Sequence, residues 1–173
     1  MNKAIIRLYY TAGGFGDVIC WRLESQFCHA TIELDGVVYS ATFPKVIGVN
    51  VTDTKHPNYK DVMFPPRKGK EYTIDLTDDE AAKAIAYCKS KIGTSYDILS
   101  ALGWLLRIGS LRWRKHVYCF EYVYGALTAA KIFPQSKALI TGDQLLVDLY
   151  HSGKLENLDP HTYSVSLKQR QPK

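Results

Sequence analysis

Two residues, Cys119 and His29, have the side chains of a nucleophile and its base. Cys119 lies where an extended apolar stretch gives way to a helical pattern. A thiol on the first turn of a helix is close to unpaired backbone amides and to the positive end of the helix dipole, and both favour the thiolate. Imidazole can accept its proton near neutral pH. The pair predicts attack of a cysteine on a carbonyl carbon, although a buried cysteine and a solvated strand histidine remain the alternatives.

The position of His29 follows from a β-hairpin. Asp35-Gly36 lies between two β-prone segments and favours a two-residue turn in which both central residues have positive φ. This turn pairs Leu34 with Val37 and Thr31 with Ser40, and it places Thr42 opposite His29. Side chains alternate along a strand, so one face is apolar and the other polar. The apolar face holds Ala30, Ile32, Leu34, Val37, Tyr39 and Ala41, and the polar face holds His29, Thr31, Glu33, Ser40 and Thr42.

Several residues on the polar face could orient the imidazole. Thr42 and Ser40 are the preferred candidates, ahead of Thr31, because they lie opposite or diagonal to His29. Glu33 is four residues away, about 13 Å along a regular strand, and is too far. A backbone carbonyl or a water molecule remains an alternative orienting group.

The remaining residues near the predicted site are a tyrosine, a glutamate and three further cysteines. Tyr96 could support an oxyanion or be a buried structural tyrosine, and Glu121 is expected to stabilise the start of its helix or a nearby loop. Cys20, Cys28 and Cys88 are expected to be small buried side chains, with Cys28 pointing into the core. The cysteine spacing contains no pair typical of a zinc site, so we expect no metal and no organic cofactor.

The hydropathy pattern predicts an α+β domain in which an antiparallel sheet packs against helices. Thr77 begins a capping box, which predicts a helix that ends near Gly93. The predicted strands cover residues 4–10, 28–34, 37–42, 46–51, 61–64 and 70–76. The other predicted helices cover residues 17–24, 95–107, 119–131 and 141–150. We expect one domain over residues 1–153, with a loose polar tail over 154–173.

Composition is typical of a soluble globular domain. The 173 residues are 46% hydrophobic and 23% charged, which excludes a disordered, collagenous or membrane-embedded chain. A domain of this size can bury a core without a metal or a disulfide. The short apolar run near the start contains Arg7 and does not resemble a signal peptide, and no run of about 18 apolar residues predicts a membrane span. A cytoplasmic location with free thiols is therefore expected.

A basic segment gives a second hypothesis about function. Arginine next to tryptophan can bind phosphates, so this segment could contact nucleic acid, a lipid headgroup or an acidic protein. A solvated loop is the alternative, and the net charge of +5 is too diffuse to decide. The segment contains Trp104, Arg107, Arg112, Trp113, Arg114 and Lys115.

Four stretches of the chain together resemble the circularly permuted, papain-like proteins of the NlpC superfamily, in particular the YiiX-like branch of bacteria and phages. The resemblance extends from about residue 14 to residue 149, with the histidine first and the cysteine last. The stretches are Trp21-Arg22 followed by Cys28 to Ala41 and Gly48-Val49, then Ile92 to Asp97, Tyr118 to Val123, and Thr141 to Leu146.

The resemblance implies a permuted papain-like fold, with Cys119 as nucleophile at a helix N-terminus and His29 as general base. It implies a thiol protease, amidase-type hydrolase or acyltransferase acting on a peptide, amide or thioester. Three residues depart from the family pattern: Cys28 replaces a Ser, Thr31 replaces a Glu and Phe120 replaces a Ser. The change at Thr31 leaves the orienting residue unassigned. The competing hypothesis is an inactive papain-like module that binds an anionic partner.

Overall fold

The computed structural model describes residues 2–63, 68–97, 117–135, 137, 140–156 and 161–162. The strands are β1 (Asn2–Tyr10), β2 (Phe27–Leu34), β3 (Val37–Ala41), β4 (Val46–Asn50), β5 (Gly69–Leu76) and β6 (His161–Thr162). The helices are α1 (Phe15–Leu23), α2 (Tyr59–Met63), α3 (Asp78–Lys91), α4 (Cys119–Ala129) and α5 (Gly142–His151).

The strands form one antiparallel sheet in the order β4-β3-β2-β1-β5-β6. Five strands make up most of this sheet, and the two-residue β6 extends the edge at β5. Helices pack against the sheet, so the predicted α+β class with an antiparallel sheet is confirmed.

The hairpin between β2 and β3 has the predicted register. Leu34 pairs with Val37 and Thr31 pairs with Ser40. Asp35 has φ of 48° and Gly36 has φ of 70°, as a turn with two left-handed central residues requires. The turn chemistry therefore determines which side chains of β2 and β3 share a face.

The apolar face of the hairpin lies in the main core. Ala30, Ile32 and Tyr39 are at most 1% exposed and pack in one cluster with side chains of α3, α4 and α5. A smaller cluster, formed by Val38, Ile47, Val49, Val62 and Met63, packs α2 against β3 and β4. The core thus supports both the strand that carries His29 and the helix that begins at Cys119.

Helix starts follow the capping signals in the sequence. The Thr77 hydroxyl accepts a hydrogen bond from the Glu80 amide, and the Glu80 carboxylate accepts one from the Thr77 amide. The Thr141 hydroxyl accepts from the amide of Gln144 at the start of α5. Helix α4 begins at Cys119, as predicted.

The strand predicted over residues 61–64 is wrong, because this part of the chain forms the short helix α2. Its Val62 amide donates to the Asn58 carbonyl oxygen, a helical bond that a strand would not make. Val62 and Met63 then bury their side chains in the smaller cluster, which a single helical turn is enough to achieve. Residue 64 lies outside the described part of the chain.

The start of the helix predicted over residues 95–107 is also wrong. Ser95 forms a β-bridge with Lys45, and Tyr96 forms one with Val117. The Tyr96 amide donates to the Pro44 carbonyl, so long-range backbone pairing replaces a helical turn here. Residues 98–107 of this prediction lie outside the described residues.

The chain after Gly153 is not loose where the structure describes it. Leu155 bridges to Ile74 of β5, and the Lys154 ammonium lies 2.8 Å from a Glu80 carboxylate oxygen. The Glu156 amide also donates to the Thr73 carbonyl. Within the described ranges, no helix has the length and apolar character needed to cross a membrane.

Candidate active site

Cys119 is the first residue of α4 and is 2% exposed. The preceding residue, Tyr118, is extended, so the chain turns into the helix at the thiol itself. The sulfur accepts hydrogen bonds from the backbone amides of Ala30 and Phe120 and from the Tyr96 hydroxyl. These donors come from β2, from α4 and from the segment after α3, so packing of all three is needed to form this environment.

Burial has the largest effect on the ionisation of the Cys119 thiol. It raises the pKa to about 11, and a nearby Cys28 adds to this, whereas the hydrogen bonds from Ala30, Tyr96 and Phe120 lower it. The backbone amide of Phe120 at the start of α4 favours the thiolate, as expected, but burial has the larger and opposite effect. Burial removes the water that would stabilise the thiolate, and this raises the pKa more than the three hydrogen-bond donors lower it. At neutral pH the thiol keeps its proton, so a nucleophilic role needs a base.

His29 lies directly before Ala30 in β2, the residue whose amide binds the Cys119 sulfur. Its Nε2 atom lies 3.1 Å from the Ser40 hydroxyl, and its ring lies 5.6 Å from the Tyr9 ring between centroids. Hydrogen bonding and ring packing both restrict the rotation of the imidazole. Of the candidate orienting residues, Ser40 therefore contacts the imidazole of His29.

The other two candidate orienting residues make different contacts. The Thr31 hydroxyl lies 3.1 Å from the Tyr9 hydroxyl, and Thr42 follows the last residue of β3. Thr31 therefore helps to fix the tyrosine that packs on His29. Thr42 lines the adjacent cavity but is not part of the β2–β3 ladder where His29 was expected to face it.

A cavity of about 340 Å³ opens beside His29 and Ser40, and Cys119 is not among the residues that line it. Its lining includes His29, Thr31, Ser40 and Thr42, so the polar face of the hairpin borders a cleft as predicted. Asp61 and other residues around α2 form the far side. The cleft gives a ligand access to the hairpin face that carries the imidazole.

Cys28 does not point into the core, and the reason is a β-bulge. Tyr9 pairs with His29 whereas Tyr10 pairs with Phe27, so Cys28 is an extra residue in β2. It is half-buried, and its thiol donates to the Tyr10 carbonyl over 3.3 Å. Strand alternation fails at an inserted residue, which is why the sequence pattern placed it wrongly.

The remaining cysteines differ from one another. Cys88 is fully buried in the apolar face of α3, as predicted. Cys20 of α1 is only half-buried and makes a hydrogen bond to Cys28. The interpretation of Cys20 as a buried hydrophobic side chain is therefore wrong.

Glu33 and Glu121 lie in separate structural environments. Glu33 accepts a hydrogen bond from Arg7 at 2.6 Å, and Glu71 accepts another from the same guanidinium at 2.9 Å. Glu121 lies in the first turn of α4. Burial is the main cause of the raised pKa of Tyr87, and the charge of Glu121 raises it further. Sequence analysis missed the buried Arg7 cluster, although an arginine inside an apolar strand was a signal for it.

The predicted basic segment, with Trp104, Arg107, Arg112, Trp113, Arg114 and Lys115, lies outside the described residues. Among the described residues, no group of three or more His, Cys, Asp or Glu side chains could hold a metal ion. Neither the models of known protein families nor the curated proteins include a match to this sequence.

Proposed function

We propose that the protein is a cysteine hydrolase or acyltransferase with a permuted papain-like fold, in which Cys119 is the nucleophile and His29 the general base. One observation carries this proposal. The Cys119 sulfur accepts a hydrogen bond from the backbone amide of Ala30, the residue that follows His29 in β2. The imidazole is in turn hydrogen-bonded to Ser40.

We assign general-base catalysis rather than a resting thiolate–imidazolium pair, because burial raises the pKa of the Cys119 thiol. His29 takes the thiol proton as the sulfur attacks a carbonyl carbon, and the carbonyl π electrons move to oxygen. The tetrahedral intermediate collapses, the leaving group receives the proton from His29, and an acyl thioester remains on Cys119. Water or another acceptor then attacks the thioester with His29 again as base, which releases the acyl group.

The groups around the sulfur also suit the charge that develops during attack. The Tyr96 hydroxyl and the Phe120 amide of α4 donate hydrogen bonds to the Cys119 sulfur, so they lie next to any carbonyl group that this sulfur would attack. Donors held in place by the fold stabilise an oxyanion without reorganising, which is usually a large part of catalysis. We assign Tyr96 and the Cys119 amide to this role.

Ser40 has the role of a positioning residue. Its hydroxyl lies at Nε2, so the imidazole is held with its Nδ1 edge as the second site for proton exchange. We assign transfer of the Cys119 proton to Nδ1. Loss of Ser40 is expected to lower the acylation rate through the orientation of the ring, with little change in the ionisation of the thiol.

The experiment uses p-nitrophenyl butyrate as an acyl donor, with release of nitrophenolate and the position of the butyryl group as readouts. We expect acylation of Cys119, no acylation at this position in Cys119→Ala, and a rate lowered by about 10²- to 10⁴-fold in His29→Ala. Cys88→Ala is the matched control, since Cys88 is equally buried but lies in α3. Equal nitrophenolate release by wild type and Cys119→Ala would overturn the proposal.

A further inference from the structure

Two thiols outside the Cys119–His29 pair are in direct contact. The Cys20 thiol of α1 donates a hydrogen bond to the Cys28 sulfur, and the Cys28 thiol donates to the Tyr10 carbonyl. Both side chains are half-buried, whereas Cys88 and Cys119 are 0% and 2% exposed. A small oxidant therefore reaches the first pair before it reaches the other two thiols.

The chain between these cysteines is already folded into a tight turn. Glu24 ends α1 in the left-handed conformation, with φ of 50°, and the Ser25 amide donates to the Cys20 carbonyl over 3.0 Å. The β-bulge then turns Cys28 out of the core toward α1. The two sulfurs are thus brought together by backbone features and not by the chance orientation of exposed side chains.

We propose that Cys20 and Cys28 form a reversible disulfide when the protein meets a peroxide. Hydrogen peroxide transfers one oxygen to the first thiol, which becomes a sulfenic acid, and one water is released. The second sulfur attacks the sulfenic sulfur, forms the S–S bond and releases another water. Two thiols lose two electrons and two protons, and one peroxide is reduced to two waters.

The reaction has a defined pH dependence. Burial, with the neighbouring Cys28 as a further cause, raises the pKa of Cys20 to about 11. The thiolate is the reactive form, so disulfide formation is slow at neutral pH and accelerates as the pH rises toward that value. Asp17 and Asp143 also face Cys20 and disfavour its thiolate.

The disulfide would tie α1 to the start of β2, one residue before His29. It closes a short loop over residues 20–28, and a cross-link of this length is expected to raise the melting temperature by about 5–10 °C. Cys28 also acts electrostatically on the Cys119 thiol. The proposal does not depend on the proposed acyl transfer, because its readouts are a covalent bond and a melting temperature.

Tryptic mapping tests the proposal on the full chain. The protein is treated with hydrogen peroxide, blocked with iodoacetamide and digested without reduction. Arg22 lies between Cys20 and Cys28, so trypsin puts the two residues in different peptides. We expect these peptides to be joined by a disulfide that dithiothreitol reverses, with a higher melting temperature before reduction.

Variants separate the pair from other thiols. Cys20→Ser and Cys28→Ser should each abolish the linked peptides, whereas Cys88→Ser should leave them unchanged. If Cys28→Ser fails to fold, Cys20→Ser alone provides the test. A linkage of Cys28 to Cys119, or oxidation of single cysteines without any linkage, would overturn the proposal.

Discussion

Replacement of Arg7 by methionine should cause a large loss of stability, because one buried guanidinium pairs two buried carboxylates. Arg7 is 1% exposed, and Glu33 and Glu71 are 7% and 8% exposed. Its Nη2 atom lies 2.6 Å from Glu33 and its Nε atom 2.9 Å from Glu71. The substitution leaves both acids in the sheet face without their cation.

The expected loss in the free energy of unfolding at pH 7 is about 3–5 kcal/mol, the usual cost of breaking a buried ion pair. This is a large part of the roughly 5–15 kcal/mol that stabilises an ordinary domain. Adding Glu33→Gln and Glu71→Gln should recover much of the loss, since neutral amides are less costly to bury than carboxylates.

Urea unfolding at pH 7 provides the measurement. Lys83→Met is the matched control, because Lys83 pairs with Asp79 on the exposed face of α3 and should change stability by less than about 1 kcal/mol. A deficit below about 1 kcal/mol for Arg7→Met would refute this reasoning.

Three further substitutions give independent tests. The Cys119 thiol has an ordinary pKa of 9.0 when unfolded and about 11 when folded, so wild-type stability should fall by about 2 kcal/mol between these pH values, and Cys119→Ala should lack this part of the slope in urea titrations. Thr77→Ala should lower the stability by about 1 kcal/mol in the same assay through loss of the α3 cap. Gly69→Ala should cost about 1–3 kcal/mol, because its Cβ would lie 2.4 Å from the Leu8 carbonyl oxygen; an unchanged melting temperature would contradict this contact.

Local signals predicted the elements that carry the candidate site. The Asp35-Gly36 turn fixes the register of β2 and β3. This register pairs Ser40 with Thr31 and so brings Ser40 near His29. The start of α4 at Cys119 was also visible, because the hydrophobic period changes there. Such features depend on neighbouring residues and on turn geometry, which a single sequence contains.

Long-range effects explain what the sequence did not predict. The pKa of Cys119 depends on burial by β2, by α4 and by the segment after α3, and this burial outweighs the effect of the helix terminus that the sequence predicted. The bulge at Cys28 depends on pairing with β1, and the bridge at Tyr96 depends on Val117. These contacts join residues far apart in the chain, and alternation or propensity does not encode them.

The pH dependence of Cys119 acylation tests the central claim most directly. The rate of butyryl transfer from p-nitrophenyl butyrate to Cys119 is measured from pH 5 to pH 11 in wild type and in His29→Ala, with thermal melts to exclude unfolding. General-base catalysis predicts that wild-type Cys119 is acylated at neutral pH, far below the thiol pKa of about 11. The His29→Ala rate should instead rise only as the pH approaches 11. Identical profiles in the two proteins would contradict the assignment of His29 as the base for Cys119.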